Sequence, residues 1–243
     1  MICRVTDGIG AFCTRDVFGT RIAACFSAYG TSLDGVSFYA QYDGDRITAV
    51  LSDVFSNCTL TCAADADFEE LRTFIRFLPL NSLLCDRHIR EKLQIPFVES
   101  GIVMRFCGTA CSSDLTLCTP QCAAFDYKKV YALLTDCGFS LGDYLPWLSD
   151  LAYRVQHGTA NVYCLQEDER IVSTASVLFG TQTAVCLGAV GTDAAYRGNG
   201  YAGTVLHALL SRENGKRIEL LCKPERIGFY EKLGFQQNGE FTV

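Results

Sequence analysis

The sequence lacks any run of basic residues. Its 243 residues contain 21 Lys and Arg against 27 Asp and Glu, which gives a formal net charge of -6. A protein that binds the phosphate backbone of a nucleic acid needs clustered Lys and Arg side chains. We therefore expect no nucleic-acid partner.

Long apolar runs are absent as well. No stretch approaches the roughly eighteen uninterrupted apolar residues that a membrane-spanning helix requires. The first residues, MICRVTDGIGAFCTRDVFG, contain no apolar core of the length found in a secretory signal peptide. These features predict no membrane association and a cytoplasmic location.

Histidine is scarce, with three residues, whereas cysteine is abundant, with 14. Three cysteine pairs share a C-X-X-X-C spacing: Cys58 and Cys62, Cys107 and Cys111, and Cys118 and Cys122. This spacing differs from the C-X-X-C of ordinary zinc sites, and no histidine lies near these pairs. Cysteines within apolar stretches are typical of small buried side chains in a reduced protein. We expect no metal site.

A glycine-rich turn is the most informative stretch of the chain. Residues 190–210 read VGTDAAYRGNGYAGTVLHALL. After the turn, apolar residues recur at helical spacing at Ala202, Val205, Leu206, Leu209 and Leu210, which predicts a helix that begins at the turn. Unpaired backbone N–H groups and the positive end of the helix dipole favour an anion there. The chemistry indicated is pyrophosphate binding.

A second motif follows the turn by about thirty residues. Residues 229–235 read FYEKLGF, and together with the turn pattern Arg197-X-X-Gly200-X-Ala202 they resemble the GCN5-related N-acetyltransferase (GNAT) superfamily. The resemblance covers about residues 115–243. It implies acetyl-CoA as cosubstrate, with its pyrophosphate held by the six turn residues Arg197, Gly198, Asn199, Gly200, Tyr201 and Ala202.

The same resemblance implies the reacting end of the site. Main-chain groups of Ala189, Val190 and Thr192 are expected to bind the pantetheine and the acyl carbonyl, beside a splay between two strands. Tyr230 is the expected general acid for the leaving thiolate, the alternative being an aromatic side chain that packs on the core. No general base stands out, and Glu219 and Asp193 read equally well as solvated side chains.

The first half of the chain repeats features of the second. Phe38-Tyr39, Arg46-Ile47 and Cys62 match Val162-Tyr163, Arg170-Ile171 and Cys186 at one constant offset, and Leu83-Leu84-Cys85 matches Leu220-Leu221-Cys222 at a larger one. The second copy is longer across the interval that holds the glycine-rich turn. We interpret the first half as a degenerate GNAT-like copy that does not bind CoA, although chance similarity is an alternative.

The predicted fold is therefore of the α/β (α+β) class. It consists of tandem GNAT-like domains, residues 1–110 and 111–243, each with a mixed, mostly antiparallel sheet flanked by helices. The small-residue stretch 108–114 is the expected boundary, followed by a strand at residues 115–118.

The function expected from the resemblance is acetyl-CoA-dependent transfer of an acetyl group to a primary amine by direct attack. The alternative is a non-catalytic module that binds an acyl-CoA or a partner protein. The acceptor is a small-molecule or peptide amine, and residues 139–146, with Asp143 and Tyr144, are expected to shape its side of the site. Whether the chain forms a homodimer stays open.

Overall fold

The structure is a computed structural model, and it describes residues 1–110, 113, 115–168 and 170–243. The strands are β1 (Ile2–Arg4), β2 (Val36–Asp43), β3 (Arg46–Val54), β4 (Asn57–Cys62), β5 (Ser82–Asp86), β6 (Ser100–Phe106), β7 (Asn161–Glu167), β8 (Arg170–Gly180), β9 (Ala184–Thr192), β10 (Arg217–Cys222) and β11 (Phe235–Thr242). The helices are α1 (Val17–Tyr29), α2 (Phe68–Ile75), α3 (Arg87–Leu93), α4 (Tyr127–Asp136), α5 (Tyr144–Gln156), α6 (Tyr201–Arg212) and α7 (Ile227–Glu231).

Local sequence signals account for the first elements. Helix α1 begins because Asp16 accepts a hydrogen bond from the Gly19 amide at 2.7 Å, and it ends at Gly30, whose φ of 63° suits a residue without a side chain. Strands β2 and β3 form a hairpin around Gly44, which has a φ of 59°.

The described strands form one sheet of eleven, in the order β1-β2-β3-β4-β5-β11-β6-β10-β9-β8-β7. Neighbouring strands are antiparallel except at two places, β4–β5 and β9–β10, where they run parallel. Helices lie against this sheet, so the predicted class, a mixed and mostly antiparallel sheet flanked by helices, is confirmed.

The last strand of each half crosses to the other half. Strands β2-β3-β4-β5 and β7-β8-β9-β10 repeat one arrangement of neighbours and directions, as the sequence repeat predicts. Strand β6, which follows β5 along the chain, pairs with β10, and β11, which follows β10, pairs with β5. The two halves therefore complete one another's sheet, and β6 and β11 pair antiparallel at the centre.

The region between the halves differs from the expectation. The predicted strand at residues 115–118 is wrong for its described part, because only Cys118 pairs there, in an isolated bridge with Cys164. Residues 111, 112 and 114 of the predicted boundary, including Cys111 of a C-X-X-X-C pair, lie outside the described residues. The division at residue 110 stays a prediction.

Burial is concentrated on the two faces of the shared sheet. On one face α1 packs against both halves, and a single cluster joins Ile22 and Phe38 to Phe179, Cys186 and Phe241. On the other, α6 buries Leu206, Leu209 and Leu210, each at most 1% exposed, and each such side chain contributes about 1.5–3 kcal/mol. None of the helices within the described ranges has the length and apolarity needed to cross a membrane.

Candidate functional site

A gap opens in the sheet where β9 and β10 separate. The two strands pair in parallel from Arg217–Ala184 to Leu220–Leu187, and the pairing stops there. Beyond it, β9 continues as Gly188–Thr192 beside β8, while the end of β10 pairs with β6. The splay predicted next to Ala189 and Val190 is thus a feature of the fold, and it exposes main-chain groups along one side of β9.

A bulge in β9 lies at this gap. Ser176 pairs with Gly188 and Thr174 with Gly191, so one residue of β8 faces two residues of β9, Ala189 and Val190. Ala189 has a φ of 49°, which is uncommon for a residue with a side chain and stores strain typical of functional sites. The bulge turns main-chain donors and acceptors out of the ladder, where a ligand can use them.

The glycine-rich turn joins this strand to α6. Gly198 and Gly200 adopt φ values of 81° and 80°, and Gly200 is the residue that precedes the helix. Because Gly200 has no side chain with which to cap α6, the first N–H groups of the helix are open to an external anion. A Cβ at either glycine would meet no atom within 4 Å, so the approach to the main chain is clear.

The side chains of the turn are held by the protein itself. Arg197 donates from Nε to the main-chain oxygen of Thr192 at 3.1 Å, and its Nη2 lies 3.8 Å from Sγ of Cys137. Asn199 donates to the main-chain oxygens of Tyr196 and Arg197 at 3.3 and 3.4 Å. These contacts organise the turn. They direct the Arg197 side chain towards β9 and leave the main chain of the glycines accessible.

Two further predicted site residues anchor the surroundings of the turn. Thr192 shares a 2.9 Å hydrogen bond between its Oγ1 and the Ser173 hydroxyl, which fixes the end of β9 on β8. Tyr201 donates from its hydroxyl to a carboxylate oxygen of Glu167, and this contact ties the first residue of α6 to the end of β7. Their side chains are thus engaged, whereas Ala202 offers only main chain.

Tyr230 lies in the short helix α7, with a side chain that is 9% exposed. Its ring contacts Phe229 and Phe235 edge-on, with centroids 5.0 and 5.7 Å apart. Burial raises the pKa of Tyr230 to about 12, with a smaller contribution from the ionised form of the neighbouring Cys222. Because of this raised pKa, the phenol stays protonated at neutral pH. Cys222 belongs to the part of β10 beyond the gap, so its neighbour Tyr230 lies close to the place where the strands separate.

A cavity of about 180 Å³ lies against the bulge. Its walls include Phe18 and Arg21 of α1, Phe139 after α4, Gly188 and Ala189 of β9, and Leu221 of β10. A Cβ at Gly188 would lie 2.3 Å from Cδ1 of Leu178, so a larger residue here would displace the Leu178 side chain. A larger depression of about 400 Å³ around Gly234 shares none of these residues. The enclosed cavity is the one that adjoins the splayed strands.

Neither candidate for a general base faces this cavity. Glu219 is only 1% exposed and accepts from Arg105 at 2.8 Å and from Arg217 at 3.0 Å, so its interpretation as a solvated side chain is wrong. Asp193 accepts from the Ala195 amide and from Arg170, and these contacts lower its pKa. Among the described lining residues of the cavity, none is a carboxylate or an imidazole.

The two ends of the expected acceptor segment, residues 139–146, lie in different environments. Phe139 lines the cavity, but α5 already begins at Tyr144, with Asp143 at the preceding position. The Tyr144 ring packs on Tyr131 with centroids 5.1 Å apart. The residues that sequence reasoning missed are Phe18 and Arg21, because only the tertiary fold brings α1 to the bulge. Arg21, a lone charge within the apolar run FGTRIAACF, is the available sequence signal.

Comparison with known proteins agrees with this geometry. Residues 158–237 match the model of the acetyltransferase (GNAT) domain, a span that includes the bulge, the turn and Tyr230. Residues 158–237 therefore carry an acetyltransferase (GNAT) domain. The sequence matches none of the curated proteins.

Solved structures share the fold over the whole chain. A protein from Drosophila is 11% identical with a TM-score of 0.64, over 100% of this chain and 98% of that one. A GCN5-related N-acetyltransferase from Sphaerobacter thermophilus is 15% identical with a TM-score of 0.57, over 99% and 94%. A tandem GNAT protein from the clavulanic acid biosynthesis pathway is 10% identical with a TM-score of 0.56, over 92% and 86%. At these identities the likeness concerns the fold.

Proposed function

We propose that this protein is an acetyl-CoA-dependent N-acetyltransferase that transfers an acetyl group to a primary amine. The observation that carries the proposal is the open N-terminus of α6, reached through Gly198 and Gly200 and joined directly to the bulged strand β9. A pyrophosphate fits this place because main-chain N–H groups converge there and the turn from Arg197 to Ala202 contains no acidic residue.

The residues divide between the two ends of the cosubstrate. Gly198, Asn199, Gly200, Tyr201 and Ala202 offer main-chain donors to the pyrophosphate, and Arg197 adds positive charge. Ala189, Val190 and Thr192 offer main-chain groups to the pantetheine and to the acyl carbonyl, in the role of an oxyanion-binding edge. When bound, acetyl-CoA supplies an acetyl thioester. In the transfer, a C–N bond to the amine forms and the C–S bond of the thioester breaks.

Tyr230 is the proton donor in this proposal. The departing sulfur gains one proton, and a buried phenol with a pKa of about 12 holds its proton through the neutral range and can donate it. The amine loses one proton. Since no carboxylate or imidazole is among the described residues of the cavity wall, that proton leaves through water, and water returns one proton to the tyrosinate.

The first half serves as a scaffold that no longer binds CoA. At the place in the repeat where α6 begins, α2 is capped by its own Asp67, which accepts from the Glu69 and Glu70 amides at 3.1 and 3.0 Å. The anion position at this helix is therefore filled by a carboxylate of the chain, whereas it is open at Gly200. We propose residues 1–110 as a degenerate GNAT-like copy and 111–243 as the acetyltransferase domain.

Calorimetric titration with acetyl-CoA tests the first step. We expect binding of one molecule per chain, followed by release of free CoA thiol when the protein is offered primary amines. Absence of acetyl-CoA binding would contradict both an enzyme and a CoA-binding module. Binding without thiol release from any amine would favour the non-catalytic module instead.

A further inference from the structure

Two arginines contact the same aromatic ring at the cavity. The Cζ atoms of Arg21 and Arg154 lie 4.3 and 4.8 Å from the ring centroid of Phe179, a distance typical of cation–π contacts. Phe179 and Arg21 both line the cavity beside Ala189. The wall of the cavity thus carries more positive charge than its largely apolar residues would suggest.

Only one of these two charges is neutralised. Arg154 donates to Asp150 at 2.5 Å and to the main-chain oxygen of Leu178, and Asp150 also accepts from the Tyr29 hydroxyl. Arg21 forms neither an ion pair nor a hydrogen bond with any residue that the structure describes. Its guanidinium is held by the Phe179 ring alone, with all of its donors available to a ligand.

The charge of Arg21 reaches the floor of the cavity. Burial raises the pKa of the Cys186 thiol to about 12, and the charge of Arg21 opposes this rise. Cys186 lines the same cavity together with Gly188 and Ala189. The guanidinium therefore acts on the space between α1 and the bulged strand, which is the space that the proposed function assigns to the acceptor.

Size limits what fits. A cavity of about 180 Å³ is smaller than the roughly 300–1,000 Å³ of pockets for drug-sized ligands. The remaining walls, which include Phe18, Leu84, Leu178 and Leu221, are apolar. The space suits a compact apolar body that carries one anionic group.

We propose that Arg21 is a specificity-determining residue that binds the carboxylate of the acceptor, and that the acceptor is a small apolar amino acid acetylated on its amine. This inference rests on the proposed function. Arginine binds a carboxylate through two parallel charge-assisted hydrogen bonds, which fixes the orientation of the acceptor as well as its affinity. The amine, on the carbon that carries the carboxylate, then lies on the side of Ala189.

Matched pairs of amines test the proposal. L-alanine, L-leucine and L-phenylalanine are compared with ethylamine, 3-methylbutylamine and 2-phenylethylamine, which differ from them only by the missing carboxylate. Each compound is titrated calorimetrically into the full chain saturated with CoA, which carries no acetyl group to transfer. The same compounds are then assayed for acetylation with acetyl-CoA.

We expect at least one amino acid to bind and to be acetylated about 10- to 100-fold better than its decarboxylated partner, because a hydrogen bond to a charged group is lost in the latter. Arg21→Gln should abolish this preference while acetyl-CoA binds as before. Arg21→Lys should restore part of it, since the charge returns without the two-pronged geometry. Arg15→Gln is the matched control, because Arg15 lies over Phe12 outside the cavity.

The results separate the two proposals. If acetyl-CoA binds but the amino acids bind no better than their partners, or if Arg21→Gln keeps the preference, the carboxylate site is contradicted and the acetyltransferase function stands. If none of the six compounds binds, the carboxylate site is contradicted as well. If acetyl-CoA does not bind while an amino acid binds through Arg21, the proposed function fails and the carboxylate site remains.

Discussion

The guanidinium of Arg217 donates from Nη2 to the main-chain oxygen of Asp16 at 2.9 Å. The same nitrogen donates to Oγ1 of Thr20 at 2.8 Å, and Nε pairs with Glu219 at 3.0 Å. Arg217 begins β10 and Asp16 caps α1, so one side chain joins the strand beside the gap to the helix that covers the cavity. Glu219, between Arg217 and Arg105, carries the compensating charge.

Arg217→Ala should destabilise the protein. The substitution removes hydrogen bonds at the α1 cap and one partner of the buried Glu219 carboxylate, which together cost about 2–4 kcal/mol. Chemical denaturation followed by circular dichroism measures this change. Arg46→Ala is the control, because the described partners of Arg46 are the exposed Asp43 and Asp65, and its midpoint should stay at the wild-type value. Equal midpoints for both variants would contradict the role of Arg217.

Tyr230→Phe should lower kcat by about 100-fold or more, the range of general acid catalysis, with little change in acetyl-CoA affinity. The phenol is 9% exposed, so replacing it with a phenyl ring of the same shape keeps the packing on Phe229 and Phe235. Thiol-release assays measure kcat, and calorimetry measures the affinity for acetyl-CoA. Tyr39→Phe, in the first half, is the control, and unchanged turnover in Tyr230→Phe would leave that residue a packing role only.

The pH dependence follows from the raised pKa of Tyr230. A free tyrosine ionises near its ordinary value of 10.0, whereas this phenol keeps its proton to about 12. Its acid function is therefore fully present below pH 10 and is lost only as pH rises towards 12. Ionisation of Tyr230 should therefore cause no fall in kcat between pH 8 and about 10. Any fall that the wild type shows in this range should persist in Tyr230→Phe. A fall that begins below pH 10 and disappears in this variant would contradict the raised value.

Gly200→Ala should weaken acetyl-CoA binding severalfold while the protein stays folded. A φ of 80° strains a residue with a Cβ by about 1–2 kcal/mol, although no atom within 4 Å would clash with it. The turn then shifts and its amides no longer converge. Gly10→Ala is the matched control, because Gly10 is equally uncrowded and has no positive φ. Calorimetry measures the affinity of both variants for acetyl-CoA. Equal affinities would contradict the role of the turn in binding.

Asp67→Ala should destabilise the chain without altering acetyl-CoA affinity. Loss of an N-cap carboxylate costs about 0.5–2 kcal/mol, and Asp67 caps α2 through two amides. The stoichiometry of acetyl-CoA should stay at one per chain in the wild type and in the variant. A second binding event in either protein would show that the first half has kept a cosubstrate site.

Local patterns were enough for much of the candidate site. The hairpin at Gly44, the turn from Arg197 to Ala202 and the start of α6 all depend on residues close together in sequence, whose φ preferences and apolar spacing act over a few positions. The splay near Ala189 followed from the family resemblance. The bulge itself, with its positive φ at an alanine, carries no local signal.

The sequence by itself determined the class of the fold and the start of α6 at a glycine-rich turn, because helix periodicity and glycine conformations are short-range. Only the tertiary structure decided that β6 and β11 exchange between the halves, that Glu219 is buried between Arg105 and Arg217, and that Arg21 faces the bulge. Strand pairing and the burial of charge depend on residues far apart in the chain, whose meeting no local propensity encodes.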